Sequence, residues 1–233
     1  MLDPKGRVIL VSGASRGIGL AIARALGERG YSLSLGARDP APLAAAFGPA
    51  VACHRYEAED PATHAAWVAA TLARFGRIDG LVNNAGIAPL YRIEDGEEAV
   101  LDRILAVNVK APLSMTRLCL PHLKASGSGR IVNVGSLSGK RVRNDNAGYA
   151  ISKYALMALT HATRRLGWEH GVRVTALCPS FVRTDLTAEV TTVAPAEMID
   201  PADLAELAAT VIALPNTAAV AELLVNCRHE DML

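Results

Sequence analysis

The chain has 233 residues, a formal net charge of +1, 51% hydrophobic residues and only 4% aromatic residues. That length suits one α/β domain with a sizeable core. The Ala-rich, aromatic-poor composition points to helices packed closely on a sheet and away from an aromatic-rich β-sandwich, and so small a net charge leaves no global field to draw the chain to nucleic acid or to a membrane surface.

Cys53, Cys119, Cys178 and Cys227 stand singly, and the six histidines lack spacings such as H-x-x-x-H. Neither a structural nor a catalytic metal is therefore expected. A strand begins almost at once and no apolar run reaches about 18 residues, so the expectation is a soluble, cytoplasmic chain with neither signal peptide nor transmembrane helix.

Arg7 to Val11 is a continuous apolar, β-branched run, as expected for a strand covered on both faces. It leads into Ser12-Gly13-Ala14-Ser15-Arg16-Gly17-Ile18-Gly19, and an Ala/Leu-rich helix follows from Leu20 to Glu28. Strand, glycine turn and helix in that order form an anion site: Gly13 permits the tight turn, while Gly17 and Gly19 let the helix start approach a diphosphate whose charge its free N–H groups favour. A second strand, Ser32 to Ala37, ends beside Arg38. In a doubly wound sheet this is where an adenosine ribose lies. An acidic side chain there would select an unmodified ribose, whereas Arg38, with Arg16 in the glycine turn, suits a 2′-phosphate. NADP(H) is thus expected over NAD(H).

Val51 to Tyr56 reads as a third strand followed by Glu57-Ala58, and a helix carrying Trp67, Val68, Leu72 and Phe75 stops at Gly76. Ile78 to Val82 is a fourth strand ending in Asn83-Asn84-Ala85-Gly86, small residues and amides that fit the floor of a cofactor crevice. A helix from about Glu97 carries Asn108 in mid-run. A buried amide there needs partners, and it could either satisfy a kink or anchor a water.

Gly129 to Ser136 is the fifth strand, delivering Ser136 at its carboxyl end. Lys140, Arg141 and Arg143 precede a helix that carries Tyr149 and runs to about His170. Val172 to Cys178 is the sixth strand, followed by Pro179-Ser180-Phe181-Val182-Arg183-Thr184. Residues 185–200 are small and polar with weak periodicity, which suits a mobile lid. A helix from Asp203 to Leu214 and a short strand from Glu222 to Val225 complete a single unit spanning residues 1–233, a parallel α/β sheet of about seven strands with right-handed crossovers and helices on both faces.

Tyr149 and Lys153 stand one helical turn apart on one face. A free phenol, with a pKa of about 10, is a poor base at pH 7. A unit charge about 5 Å away, at an effective dielectric of about 20, is worth roughly 3 kcal/mol, and Lys153 supplies such a charge.

The set Ser12-Gly13-x-x-x-Gly17-x-Gly19, Asn83-Asn84-Ala85-Gly86, Asn108, Ser136, Tyr149-x-x-x-Lys153 and Pro179 to Thr184, in this order, resembles the short-chain dehydrogenase/reductase family over nearly the whole chain. The resemblance implies a Rossmann-type doubly wound fold and a catalytic tetrad of Asn108, Ser136, Tyr149 and Lys153. Cofactor contacts are expected from Gly13, Ser15, Arg16, Gly17, Ile18 and Gly19; from Arg38, Glu57 and Ala58; from Asn84, Ala85 and Gly86; and from Tyr149, Lys153, Pro179, Ser180, Val182 and Thr184. Ser180 stands where the family usually has Gly, Glu57-Ala58 where it usually has Asp-Val, and the tail lacks the Gly-Gly of many members.

The activity so implied is hydride transfer between a nicotinamide and a carbonyl or secondary alcohol. Tyr149 would carry the proton, Lys153 would tune it and bind the nicotinamide ribose, Ser136 would hold the substrate oxygen, and Asn108 would anchor a relay water. Other readings are an NAD-dependent alcohol dehydrogenase, a 3-oxoacyl-carrier reductase whose acidic partner Lys140, Arg141 and Arg143 would attract, and a non-catalytic dinucleotide-binding protein. Charge runs are more often solvated loops than binding sites. The resemblance also implies a homodimer or homotetramer built on the Asn108 and Tyr149 helices, for which Ala150, Met157, Ala158, Thr160 and His161 could supply the seam or could pack inside the subunit.

Overall fold

The computed structural model describes residues 1–230. The apolar runs form seven strands: β1 (Val8–Ser12), β2 (Ser32–Ala37), β3 (Ala52–Arg55), β4 (Gly80–Asn83), β5 (Arg130–Val134), β6 (Arg173–Pro179) and β7 (Glu222–Val225). All pair in parallel in the order β3-β2-β1-β4-β5-β6-β7. Every residue of β1, β4 and β5 is buried, because helices cover both faces of a parallel sheet. Alternation along β1 divides the core. Ile9 and Val11 face one side with α1 (Gly17–Glu28) and α7 (Pro201–Ala213), while Val8 and Leu10 face the other with α3 (Pro61–Phe75) and α5 (Ala111–Ala125).

The chain order reverses at β1, which lies between β2 and β4. The loops after β1 and β4 therefore diverge and leave a crevice at the sheet's carboxyl edge. Asp79, buried just before β4, accepts a hydrogen bond from Val8 N at 2.9 Å and is gripped by Arg77 at 2.7 and 2.8 Å.

Several boundaries depart from the periodicity. The first helix begins at Gly17, so the glycine turn is itself the helix start. A short α2 (Ala41–Phe47), not anticipated from the sequence, follows Asp39 and buries Leu43. The helix carrying Asn108 is three pieces: α4 (Glu98–Leu105), a π-helical segment at Ala106–Lys110, and α5. The helix carrying Tyr149, α6 (Ala147–Gly167), ends in a 3₁₀ turn at Trp168–His170.

Residues 185–200 are not a featureless loop. They hold two 3₁₀ turns, Asp185–Thr187 and Pro195–Glu197, and bury Val193, Met198 and Ile199. A Val182–Ile199 bridge and an Arg183–Asp200 ion pair tie the far end back. Of the five residues that could supply a helix seam or pack inside the subunit, three pack inside. Met157 packs inward on Leu137, Ala176 and Cys178, Thr160 accepts from Asn133 Nδ2 at 2.8 Å, and Ala150 is buried. Only Ala158 and His161 of that set are exposed, and α6 turns outward Ile151 and Tyr154 instead.

Candidate active site

The glycine turn is shaped by positions that a side chain cannot occupy. Gly13 and Gly17 adopt φ of +64° and +54°, conformations that L-residues rarely tolerate. At Gly19 a Cβ would collide with the Gly13 carbonyl oxygen and the Asn84 side-chain amide. Arg16 holds the N-cap in an extended conformation with no side-chain cap on α1, which leaves the first N–H groups of the helix for an anion.

Asn84 braces this turn. Its Nδ2 donates to the carbonyls of Ser12 and Gly13 at 3.0 and 3.1 Å, and its own N–H donates to Ser12 Oγ at 3.0 Å. Asn83 points elsewhere, donating to Asn133 Oδ1 at 2.8 Å. Asn133 in turn donates to Thr160, so a buried polar chain links β4, β5 and α6.

The crevice is a groove of about 450 Å³. It is lined by Gly13, Ser15, Arg16, Gly17 and Ile18; by Arg38, Glu57 and Ala58; by Asn84, Ala85 and Gly86; and by Ser136, Tyr149, Lys153, Pro179, Ser180, Val182 and Thr184. Gly19 and Asn108, both expected at the site, lie behind its wall and shape it from there. The groove adds residues that the sequence reading passed over, among them Tyr56, Ile87, Arg103 and Leu186. Arg103, which reaches Glu59 at 3.3 Å, carries no local signal that would distinguish it from an ordinary helix-surface arginine.

At the deep end, Lys153 is 5% exposed, and its Nζ lies 5.4 Å from the Tyr149 ring centroid while donating to Val134 O at 2.9 Å. Ser136 lies two residues beyond β5 in extended conformation, and its Oγ accepts from Ser138 N at 3.0 Å. That leaves the hydroxyl hydrogen free to donate. Asn108 Oδ1 accepts from Ile87 N, and its Nδ2 donates to Ile87 O and Ser152 Oγ, all at 2.9–3.0 Å. The Asn108 side chain therefore braces the wall of the groove.

Arg16 and Arg38 both line the groove, but Arg16 reaches across to Asp185 at 2.8 Å, and the pair stays largely exposed. The basic stretch after Ser136 is neither free nor simply solvated. Lys140 pairs with Glu222 at 2.8 Å, Arg141 grips both oxygens of Glu230, and Arg143 approaches Glu230 at 3.4 Å. Burial pushes the Glu230 carboxyl up, but hydrogen bonds and charge from Arg141 and Arg143 outweigh it and hold the pKa below the usual carboxylate value.

The sequence matches the family model for short chain dehydrogenase over residues 7–194. The chain belongs to that family. Two curated proteins from Rhizobium rhizogenes, each named agropine synthesis reductase, are 46% identical over 97% and 96% of this chain. The chain spans about half the length of these relatives, 53% of each. Among solved structures, a metagenomic short-chain oxidoreductase in complex with NADP is 34% identical, covers 98% of this chain and all of its own, and superposes with a TM-score of 0.83. The 3-ketoacyl-(acyl-carrier-protein) reductase of Brucella melitensis, complexed with NADH, is 31% identical over 96% of this chain and 98% of its own, with a TM-score of 0.87.

Among the described residues, no group of three or more His, Cys, Asp or Glu side chains is placed to hold a metal ion. No helix among them is long and apolar enough to cross a membrane.

Proposed function

We propose that this chain is an NADP(H)-dependent oxidoreductase interconverting a carbonyl and a secondary alcohol, with Tyr149 as the proton carrier. The observation that carries the reading is one continuous groove with an uncapped helix start and two arginines at one end, and Ser136, Tyr149 and Lys153 at the other. The residues fit a dinucleotide phosphate. The positive-φ glycines and the absent Cβ at Gly19 keep the cradle open, and Arg16 and Arg38 supply charge for a 2′-phosphate.

When bound, the nicotinamide supplies or takes the hydride. The chain's own residues do the rest. The Ser136 hydroxyl, held by Ser138 N, donates to the substrate oxygen. The Tyr149 phenol gives its proton to that oxygen in reduction and takes it back in oxidation. Lys153 keeps a positive charge beside the phenol, steadied by Val134 O, and stabilises the phenolate left behind. Asn108 holds the wall behind them through Ile87 and Ser152.

The relative named agropine synthesis reductase and the NADP-bound neighbour support a reductive role with NADPH. The NADH-bound neighbour keeps NADH as the second reading. We read residues 1–233 as one nucleotide-binding domain with the active site built in. Ile151 and Tyr154 on α6 and Leu113 on α5, all exposed, suit contact with a second copy, which sedimentation would test.

The function is tested by following NADPH and NADH oxidation over a panel of ketones and aldehydes. Turnover with NADPH in preference to NADH is expected, and Tyr149→Phe should abolish it while NADPH still binds. Turnover surviving in that variant would remove Tyr149 from the role, and no turnover with any carbonyl would favour a dinucleotide-binding protein without catalysis.

A further inference from the structure

The segment from Ile87, which lines the crevice, to Tyr91 has no helix or strand of its own, yet its backbone is gripped at both ends by asparagine. At one end Asn108 holds both the N–H and the C=O of Ile87. At the other end stands Asn146, the residue immediately before α6. Asn146 Nδ2 donates to Ala88 O at 3.3 Å and Pro89 O at 3.1 Å. Its Oδ1 accepts from Tyr91 N at 3.2 Å and from Tyr149 N at 3.3 Å. Both donors and both lone pairs of the amide are used.

The contact is close as well as polar. Gly148 N donates to Tyr91 O at 3.4 Å, and a Cβ on Gly148 would lie 2.9 Å from Tyr91 Cβ and 3.0 Å from Ile104 Cδ1. The segment that follows Ile87 therefore lies directly on the first turn of α6, the helix that carries Tyr149. Tyr149 is held at its N–H by Asn146 and at its C=O by Ser152 Oγ, 2.7 Å away, and Ser152 in turn accepts from Asn108. A phenol on the first turn of a helix would otherwise share the fraying of that turn.

We propose that Asn146 is a positioning residue. It caps α6 and stitches that cap to the segment that leads away from Ile87 in the crevice wall, and the stitch, rather than the cap, holds the Tyr149 phenol in line for proton transfer. An ordinary N-cap needs only an acceptor, which Ser supplies as well as Asn. The two donated hydrogen bonds to Ala88 and Pro89 are what capping leaves unexplained. The inference rests on the reading of Tyr149 as the proton carrier.

Asn146→Ser separates the two roles, because it keeps a capping oxygen and removes both donors. Against the carbonyl substrate found in the screen, kcat should fall about tenfold or more, since small misplacements of reacting groups are costly. KM and the affinity for NADPH, measured by fluorescence titration, should stay within about twofold. The melting temperature should stay close to that of the parent, the solvent deuterium isotope effect on kcat should rise as proton transfer becomes limiting, and amide exchange across residues 87–91 should quicken. Parent-like kcat in the Ser variant would overturn the proposal. So would a kcat loss with an unchanged isotope effect and a matching loss of thermal stability, which is the signature of a cap alone. Tyr149→Phe run in parallel keeps the two ideas apart: activity there sinks the proton-carrier reading itself, whereas an inactive Tyr149→Phe beside a normal Asn146→Ser sinks only the role of Asn146.

Discussion

At Gly19 the absence of a side chain is itself a structural requirement. The missing Cβ is filled by the Gly13 carbonyl and the Asn84 amide, and Asn84 cannot withdraw without giving up its bonds to Ser12 and Gly13. Gly19→Ala should therefore cost about 1–3 kcal/mol as an overpacked site, lowering the melting temperature by roughly 2–12 °C for a chain of this size. It should also weaken NADPH binding, because the strain falls on the phosphate cradle. Calorimetry and a cofactor titration would check both, and a parent-like variant would mean that the turn is looser than its contacts imply. The glycines were readable from spacing alone. The role of Asn84 was not, since an amide beside a glycine turn can face the cofactor or brace the turn with the same sequence.

Between elements, the ion pair from Arg16 to Asp185 bridges the glycine turn and the stretch after β6. Both side chains are about two-thirds exposed, so the pair itself is worth at most about 1 kcal/mol. A phosphate dianion competing for Arg16 would have little to displace. Asp185→Asn should leave Arg16 free and tighten NADPH by up to about fivefold, with NADH affinity unchanged. Equal changes for the two cofactors would show that Arg16 does not meet the 2′-phosphate. Sequence placed Arg16 and Arg38 correctly on the groove but could not see Asp185, which is 169 positions away from Arg16. The same holds for the helix carrying Asn108. Its apolar repeat was plain, whereas the π-helical turn at Ala106–Lys110 carries Asn108 with its bonds to Ile87 and Ser152, distant partners that no local propensity encodes.

Across the whole molecule, β7 and the residues after it are fastened to the stretch after Ser136 and to α6 by two carboxylates. Burial raises the Glu222 carboxyl, but hydrogen bonds and charge from Lys140 and His161 outweigh it, and Glu230 is held low in the same manner by Arg141 and Arg143. A carboxyl whose folded pKa lies below its unfolded value stabilises the fold above the unfolded pKa and loses that contribution as pH falls through the folded one. Thermal stability should therefore drop as pH falls below about 4.5, the ordinary value for these groups. Glu230→Gln should be less stable than the parent at pH 7 and approach it in acid. Melting curves across pH would show this convergence, and a constant gap between the two proteins would exclude Glu230 as a titrating fastener.

The sequence by itself determined the alternation of strands and helices, the glycine turn and the Ser136, Tyr149 and Lys153 set, because each depends on short-range spacing that sterics and helical geometry translate directly into shape. It did not determine that Met157 and Thr160 turn inward, that the basic stretch after Ser136 is paired with Glu222 and Glu230, or that Asn146 joins the stretch after Ile87 to the helix carrying Tyr149. Those arrangements pair residues that are distant along the chain, and only the parallel sheet, by bringing the carboxyl ends of β4, β5 and β6 to one edge, puts their polar groups within bonding distance.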